Sequence, residues 1–306
     1  MYELIIIGGG PAGITAGIYA ARQKLNTLLV TKDFGGQIAK KAVTIENFPG
    51  FEEISGMELI QKLESHLKKQ EIKIERKEVV KIEKVKDTFF IYTKEGDKFE
   101  GKAVIIASGA DPRPLEVVGE KEFIGKGVSY CSICDGPIFS GKDVAIIGGG
   151  NSAFETASFL SNIVNKIYVL EYGSEVRADK ENQEAVRKTG KTEVITMAAL
   201  KEIRGDKFVN SIVYQNRETK EEKTLSVEGV FVQIGLQPAT SFVKDLNILN
   251  DRDEVEVEGE TYQTKTPGLF AAGDVNIGQF KQIVIACGEG AKSALAAFNY
   301  LKKLER

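Results

Sequence analysis

Two cysteines stand two residues apart in the run Cys131-Ser132-Ile133-Cys134-Asp135-Gly136-Pro137. At that spacing the two thiols can close a small disulfide ring, and the Asp135 carboxyl beside them can exchange a proton. A thiol attacks a disulfide as its thiolate, so either its pKa must be lowered or a nearby base must take the proton. Asp135 is the acid–base group close by in sequence. The single histidine, His66, is remote and lies among charged and polar neighbours, as a surface residue would. A carboxyl serves best in such a role when burial raises its pKa toward ambient pH.

Two glycine-rich turns accompany the dithiol. One, Gly8-Gly9-Gly10-Pro11-Ala12-Gly13, opens the chain; the other, Gly148-Gly149-Gly150-Asn151-Ser152-Ala153, follows the cysteines. The apolar run 4–7 reads as a buried strand, 11–22 as a helix with proline in its first turn, and 27–31 as a second strand. That order is the context in which GxGxxG holds a pyrophosphate: glycines let the backbone approach, and the helix N-terminus supplies N–H donors and positive potential. The plan repeats with a strand at 144–147, a helix at 152–162 and a strand at 166–171. A dithiol with two dinucleotide turns reads as electron transfer from a nicotinamide, through a flavin, to a disulfide.

Composition fits a soluble protein of two domains. The chain has 306 residues, 42% apolar and 28% charged, and roughly 150 residues per domain is usual. A net charge of -3 favours neither nucleic acid nor an anionic membrane. No apolar run is long enough to span a bilayer and no basic leader is present, so a cytoplasmic location is expected. Three cysteines and one histidine are too few for a secreted disulfide scaffold or a four-ligand zinc site, and no metal is expected.

The remaining stretches fill in the frame. Gly35-Gly36-Gln37 and Glu46-Asn47-Phe48-Pro49-Gly50 read as loops, and 56–69 as a helix. The mixed charges of 68–86 read as a solvated face. A hairpin is expected over 89–100, turning at Glu95-Gly96-Asp97. The run 104–109 reads as a buried strand ending in Ala107-Ser108-Gly109, and 229–235 as its equivalent, ending in Ile234-Gly235. Segments 111–114 and 237–239 read as linkers, and strands and turns are expected over 208–226. No acid ends the second strand at Thr31-Lys32, leaving Asp33 as the nearest candidate for a ribose hydroxyl. Thr266 to Asp274 ends a strand at the exposed acid of Gly273-Asp274, which could hold a ribityl or ribose hydroxyl. Lys281-Gln282-Ile283 then leads into a final helix. The expectation is an α/β fold of two Rossmann-like three-layer dinucleotide-binding domains, the second (113–240, carrying the CxxC) inserted into the first (1–112 and 241–306).

These motifs together resemble the low-molecular-weight thioredoxin reductase family over essentially the whole chain. The resemblance implies FAD in the outer domain, a nicotinamide dinucleotide in the inserted one, and a homodimer. Carried onto this sequence, FAD would be held by Gly8, Gly10, Pro11, Ala12, Gly13, Gly35, Gly36, Gln37, Asn47, Ala107, Ser108, Gly109, Gly273, Asp274, Lys281, Gln282 and Ile283. The nicotinamide dinucleotide would be held by Gly148, Gly150, Asn151, Ser152, Ala153, Glu171, Arg177, Ile234 and Gly235. Catalysis would fall to Cys131, Cys134 and Asp135, with Cys134 the sulfur facing the flavin and Cys131 attacking the partner. The family rotates the inserted domain about its linkers to serve both substrates, which makes 111–114 and 237–240 the candidate hinges.

Cys134-Asp135-Gly136-Pro137, Leu170-Glu171-Tyr172, the run 231–236 and Lys281-Gln282-Ile283 are similar to the reductase portion of the alkyl hydroperoxide reductase flavoprotein. That flavoprotein carries an extra N-terminal thioredoxin-like domain. This chain starts at the flavin turn, so a separate thioredoxin- or glutaredoxin-like protein is expected as partner. NADPH-using members carry a His-Arg-Arg run after the second strand of the inserted domain. Here Glu171-Tyr172-Gly173 stands there, with Arg177 kept. A carboxylate accepts hydrogen bonds from ribose hydroxyls and repels a 2′-phosphate, so NADH is expected over NADPH. Arg177 with Lys180 serving a phosphate is the alternative. Some relatives take electrons from ferredoxin and have lost the second glycine turn, which is intact here. An NADH oxidase or peroxidase and a non-catalytic flavin redox sensor are further alternatives; the CxxC pair and Asp135 argue against them. Cys287, among small apolar neighbours, reads as a packing residue.

Overall fold

A computed structural model of the chain describes residues 1–41 and 45–304, with the backbone alone for 39–41. The chain forms two compact units, 1–111 with 237–306, and 112–236.

The first unit begins with β1 (Tyr2–Gly9), α1 (Pro11–Arg22) and β2 (Thr27–Phe34). Leu4, Ile5 and Ile6 are fully buried, the continuous apolar run of a parallel strand covered on both faces. Then come α2 (Gly36–Lys41) and α3 (Gly56–Lys68), which starts where the Ser55 side chain accepts the Glu58 N–H. β3 (Lys73–Arg76) and β4 (Val79–Val85) follow. Both lie in the charged stretch read from sequence only as a solvated face. They are the two ends of the sheet, and of their residues only Ile82 is buried, so the apolar signal is weak. β5 (Thr88–Thr93) and β6 (Lys98–Ile106) form the expected hairpin. The sequence reads the hairpin's return arm and the strand from 104 as separate; they are one strand, crossing Gly101, where a Cβ would sit 2.9 Å from the Ile5 side chain. β7 (Ala110–Pro112) leads out.

The second unit holds β8 (Val128–Ser129), the short α4 (Ser132–Asp135), β9 (Asp143–Ile147), α5 (Asn151–Leu160) and β10 (Lys166–Leu170). α6 (Lys180–Lys188) and β11 (Thr192–Ile195) follow. Next is an antiparallel meander of β12 (Ala198–Gly205), β13 (Val209–Asn216) and β14 (Glu222–Ser226), then β15 (Gly229–Val232). The parallel sheet has the order β11-β10-β9-β15-β8. Val144 and Ile146 of β9 join a core with α5, while Ala145 and Ile147 join one with the meander. Alternate residues of one strand thus face opposite layers.

The chain returns through β16 (Leu236–Pro238), which pairs with β7 as a two-stranded ribbon; both linkers are therefore short strands where the sequence reads only breaks. β17 (Leu269–Ala271) and α7 (Ile283–Leu304) complete the first unit. Its sheet runs β3-β2-β1-β6-β5-β4, with β17 pairing the C-terminal part of β6. Leu4, Ile6 and Ile105 point into a core shared with α1 and α7, while Ile5, Ile7 and Ile106 point into one with Phe89 and Val275. Each fully buried aliphatic side chain contributes about 1.5–3 kcal/mol.

Candidate functional site

In the first unit, Gly8 sits at φ +118°, and a Cβ there would lie 2.1 Å from the Ala107 carbonyl oxygen. Only glycine permits both the backbone angle and the approach of β1 to the end of β6. Gly13 presses equally close, 1.9 Å from a built Cβ to the Gly8 oxygen. Gly10 differs: its φ of -79° suits any residue, yet nothing lies within 4 Å of a Cβ built there. Gly10 is the N-cap of α1, with no side-chain cap and no acid in the first turn. An open space before an uncapped, positive helix end fits a pyrophosphate. Gly36 and Gly109 are open in the same way.

Around this turn the structure gathers residues far apart in sequence. The Gln37 amide donates to the Ala110 carbonyl and lies 3.4 Å from Asp274 Oδ2. The Asn47 amide donates to Gln282 Oε1 at 3.3 Å. Ser108 Oγ donates to the Ala239 carbonyl at 2.7 Å, so its hydroxyl holds the return of the chain. Glu289 of α7, in the Gly288-Glu289-Gly290-Ala291 run that reads from sequence only as leading into the final helix, has a site role there. Its Oε2 accepts the Gly273 N–H and the Asn276 amide, each at 2.7 Å, and so pins the loop bearing Asp274. An acid between Gly288 and Gly290 inside a helix was the available signal. Lys281 Nζ donates to the Asn276 carbonyl at 2.5 Å, and burial lowers its pKa. The Cys287 thiol is half-buried and pushed up by burial.

Burial raises the Asp274 carboxyl to about 6, with Lys281 opposing and Glu289 adding to the rise. An unfolded aspartate ionises near pH ~3.9. The folded chain therefore holds an extra proton between these values. Stability from this group is full below the unfolded pKa and is lost as pH rises through about 6. In flavin-free protein, the thermal midpoint should rise from pH 7.5 to 5.5, and Asp274→Asn should flatten that rise. An equal rise in both proteins would reject this source.

The second unit repeats the turn. Gly148 sits at φ +123° with a Cβ position 2.3 Å from the Gln233 oxygen, and Gly150, the uncapped N-cap of α5, opens onto empty space. Ser152 Oγ donates to Gln233 Oε1 at 2.6 Å, and the Asn151 amide donates to Asp179 at 2.8 Å. Glu171 follows β10 and is 5% exposed. Its Oε1 accepts the Gly173 N–H at 2.7 Å, and its Oε2 lies 2.5 Å from a Cβ built on Gly149. The acid thus stands against the glycine turn. Arg177 donates its backbone N–H to the Gly149 oxygen at 2.7 Å, while its side chain and that of Lys180 are exposed. Ile234 and Gly235 are exposed after β15.

In the same unit Cys131 and Cys134 are joined by a disulfide, Cα to Cα 5.3 Å. Cys131 caps α4, and its Sγ accepts the Cys134 N–H at 3.2 Å. Ser132 Oγ and Thr156 Oγ1, 3.1 Å apart, tie this turn to α5. Burial raises the Asp135 pKa, and the Ser129 hydroxyl, donating to Oδ2 at 2.6 Å, opposes the rise. Ser129 and the buried Glu120 are further residues without a distinct sequence signal. Glu120 accepts the Leu115 and Glu116 N–H groups and the Tyr130 hydroxyl next to Cys131. Among the described residues no cluster of three or more His, Cys, Asp and Glu side chains could hold a metal, and no helix is long and apolar enough to cross a membrane.

The profile of the family described as "Pyridine nucleotide-disulphide oxidoreductase" matches residues 2–290. The chain is 43% identical over 300 residues to a Bacillus subtilis protein named "NADH dehydrogenase", covering 98% of this chain and 58% of that one. It is 42% identical over 301 residues to a component of the alkyl hydroperoxide reductase of Staphylococcus aureus (strain MRSA252), covering 98% and 59%. The chain thus spans under two thirds of the length of these curated relatives. Among solved structures it resembles thioredoxin reductase from Streptococcus pyogenes (TM-score 0.93, 36% identity, 99% of each chain). It also resembles thioredoxin reductase from Giardia duodenalis (TM-score 0.93, 32% identity, 98% and 99%).

Proposed function

The chain belongs to the pyridine nucleotide-disulphide oxidoreductase family, and from that premise we propose that it is a flavin-dependent disulfide reductase. Electrons pass from NADH through FAD and Cys131/Cys134 to a thioredoxin- or glutaredoxin-like protein. The observation that carries this reading is the capped dithiol: Cys134 N–H donating to Cys131 Sγ, with a half-buried carboxyl two hydrogen bonds away through Ser129.

FAD, when bound, accepts a hydride from a reduced nicotinamide and returns two electrons to a disulfide. The residues of this chain do the rest. The uncapped start of α1 and the open Gly10 would hold the pyrophosphate of FAD, and Asp274, Gln37 and the Asn47–Gln282 pair would offer it hydrogen-bonding groups. The start of α5 would hold the pyrophosphate of NADH in the same way. Once the disulfide is open, the Cys134 N–H stabilises negative charge on Cys131 and makes it the attacking thiolate. Asp135 takes the thiol proton, and its raised pKa brings it closer to the pH at which it must give that proton back.

Glu171 underlies the preference for NADH. Buried against Gly149, it would accept ribose hydroxyl hydrogen bonds and repel a 2′-phosphate. A hydrogen bond to a charged group is worth about 1.5–3 kcal/mol, so Glu171→Ala should lower kcat/KM for NADH roughly tenfold to a hundredfold. Anaerobic titration with each nucleotide, followed by flavin absorbance, tests the reading. Bleaching at far lower NADH than NADPH supports it. Bleaching by neither nucleotide, with the flavin still reducible by dithionite, would transfer the donor role to a ferredoxin-like protein. A homodimer is part of the proposal and is read by light scattering.

A further inference from the structure

Resting on the proposed role of Asp135, we propose that Ser129 is the positioning residue of the dithiol, the group that aims the Asp135 carboxylate and holds it in register with Cys131. Ser129 is 4% exposed and lies on β8, paired in register with the fully buried Phe231 of β15. Its backbone is therefore fixed by the sheet. From there its Oγ makes three contacts with the redox turn. It accepts the Cys131 N–H at 3.0 Å and reaches Asp135 Oδ2 at 2.6 Å. The third is with the Cys131 carbonyl oxygen, at 3.2 Å. A hydroxyl has one proton to give, and the shorter contact to a carboxylate is the stronger, so the proton goes to Asp135. Donating to Asp135 while accepting from Cys131, one oxygen fixes both reacting partners relative to the sheet.

Among the described residues, the Ser129 hydroxyl is the side-chain group that hydrogen-bonds Asp135. Burial is the main influence on Asp135 and the Ser129 hydroxyl the one that counters it; no charged group contributes. The titratable groups on the packed elements are otherwise placed. Tyr130 gives its hydroxyl to Glu120, Glu155 on α5 is exposed, and the two sulfurs are joined. The step served is a proton transfer: Cys131–SH loses its proton to the Asp135 carboxylate, giving a thiolate and a carboxylic acid, with no electron moved. Removing the hydroxyl leaves the half-buried carboxylate without its donor and favours the acid form.

The test uses FAD-loaded protein. The Asp135 carboxyl is titrated by infrared difference spectroscopy, its band assigned by its loss in Asp135→Asn. In Ser129→Ala the midpoint should move up by about one to two pH units, the worth of a hydrogen bond to a charged group. The acid limb of NADH-driven reduction of 5,5′-dithiobis(2-nitrobenzoate) should move up with it, and Ser129→Thr should restore both. Flavin content and thermal midpoint establish that each variant is folded. An unmoved carboxyl midpoint in Ser129→Ala, or a shift that Ser129→Thr leaves uncorrected, overturns the proposal. If the midpoint moves but Asp135→Asn turns over normally, the positioning stands and the acid–base reading of Asp135 fails instead.

Discussion

Cys134→Ser and Cys131→Ser should each reduce turnover with a protein disulfide by roughly a thousandfold or more, the loss that follows when the group proposed to carry the covalent step is removed. A serine oxygen can neither form the Cys131–Cys134 bond nor release electrons from it. The two variants then part in a second assay. Cys134→Ser leaves Cys131 with its cap position and no resolving partner, so it should accumulate a mixed disulfide with an oxidised thioredoxin-like protein. Cys131→Ser should accumulate far less. The asymmetry follows from the Cys134 N–H, a backbone donor that survives the serine substitution and still supports a thiolate at Cys131. Gel analysis without reductant reads it. More trapped complex from Cys131→Ser would reverse the assignment of attacking and flavin-facing sulfurs.

The second large effect separates two kinds of glycine in one turn. Gly13→Ala forces a methyl within 1.9 Å of the Gly8 oxygen, so backbone must move and the fold itself suffers. Such overpacking costs typically about 1–3 kcal/mol. Gly10→Val is different, because Gly10 has an ordinary φ and open space beside it. Flavin-free Gly10→Val should melt within about 0.5 kcal/mol of the unaltered protein, as most surface changes do. Its affinity for FAD should nevertheless fall by at least roughly a hundredfold, because the new side chain fills the space in front of the α1 amides. Gly150→Val should keep FAD and weaken NADH. Flavin fluorescence on rebinding measures the first and stopped-flow bleaching the second. Normal FAD binding by Gly10→Val would place the pyrophosphate elsewhere.

Much of this architecture is legible in residue types and spacing. The helix from Pro11 to Arg22 matches because apolar strand, glycine turn and helix face reinforce one another locally. Lys73–Arg76 and Val79–Val85 escape notice because these edge strands bury only Ile82, and their lysines and glutamates look like any solvated surface. Lys98–Ile106 reads as two pieces because Gly101 and Lys102 interrupt the apolar run; what unites them is the pairing with β5 on one side and β1 on the other, both meeting at Gly101, which no local pattern carries. The site divides likewise. Cys131, Cys134 and the glycines announce themselves by spacing. Ser129, Glu120 and Glu289 act through partners 2 to 16 residues away, and a buried polar residue has the same letter as an exposed one.

β6 carries a consequence for the order in which the molecule is made. On one side it pairs with β1 along residues 101–106; on the other it takes β5 at its start and β17 at its end. β17 leaves the ribosome only after the whole of 112–236, so the first sheet waits, with Val104 to Ile106 unpaired on that edge, while the inserted unit is synthesised. Such an apolar edge is a template for wrong pairing. The inserted unit has all its own strands by then and is free to fold. Its folding brings residues 112 and 236 to the paired β7–β16 ribbon and shortens the loop that β17 must close. Folded first, the insertion would act during synthesis as a splint for the sheet that surrounds it in sequence.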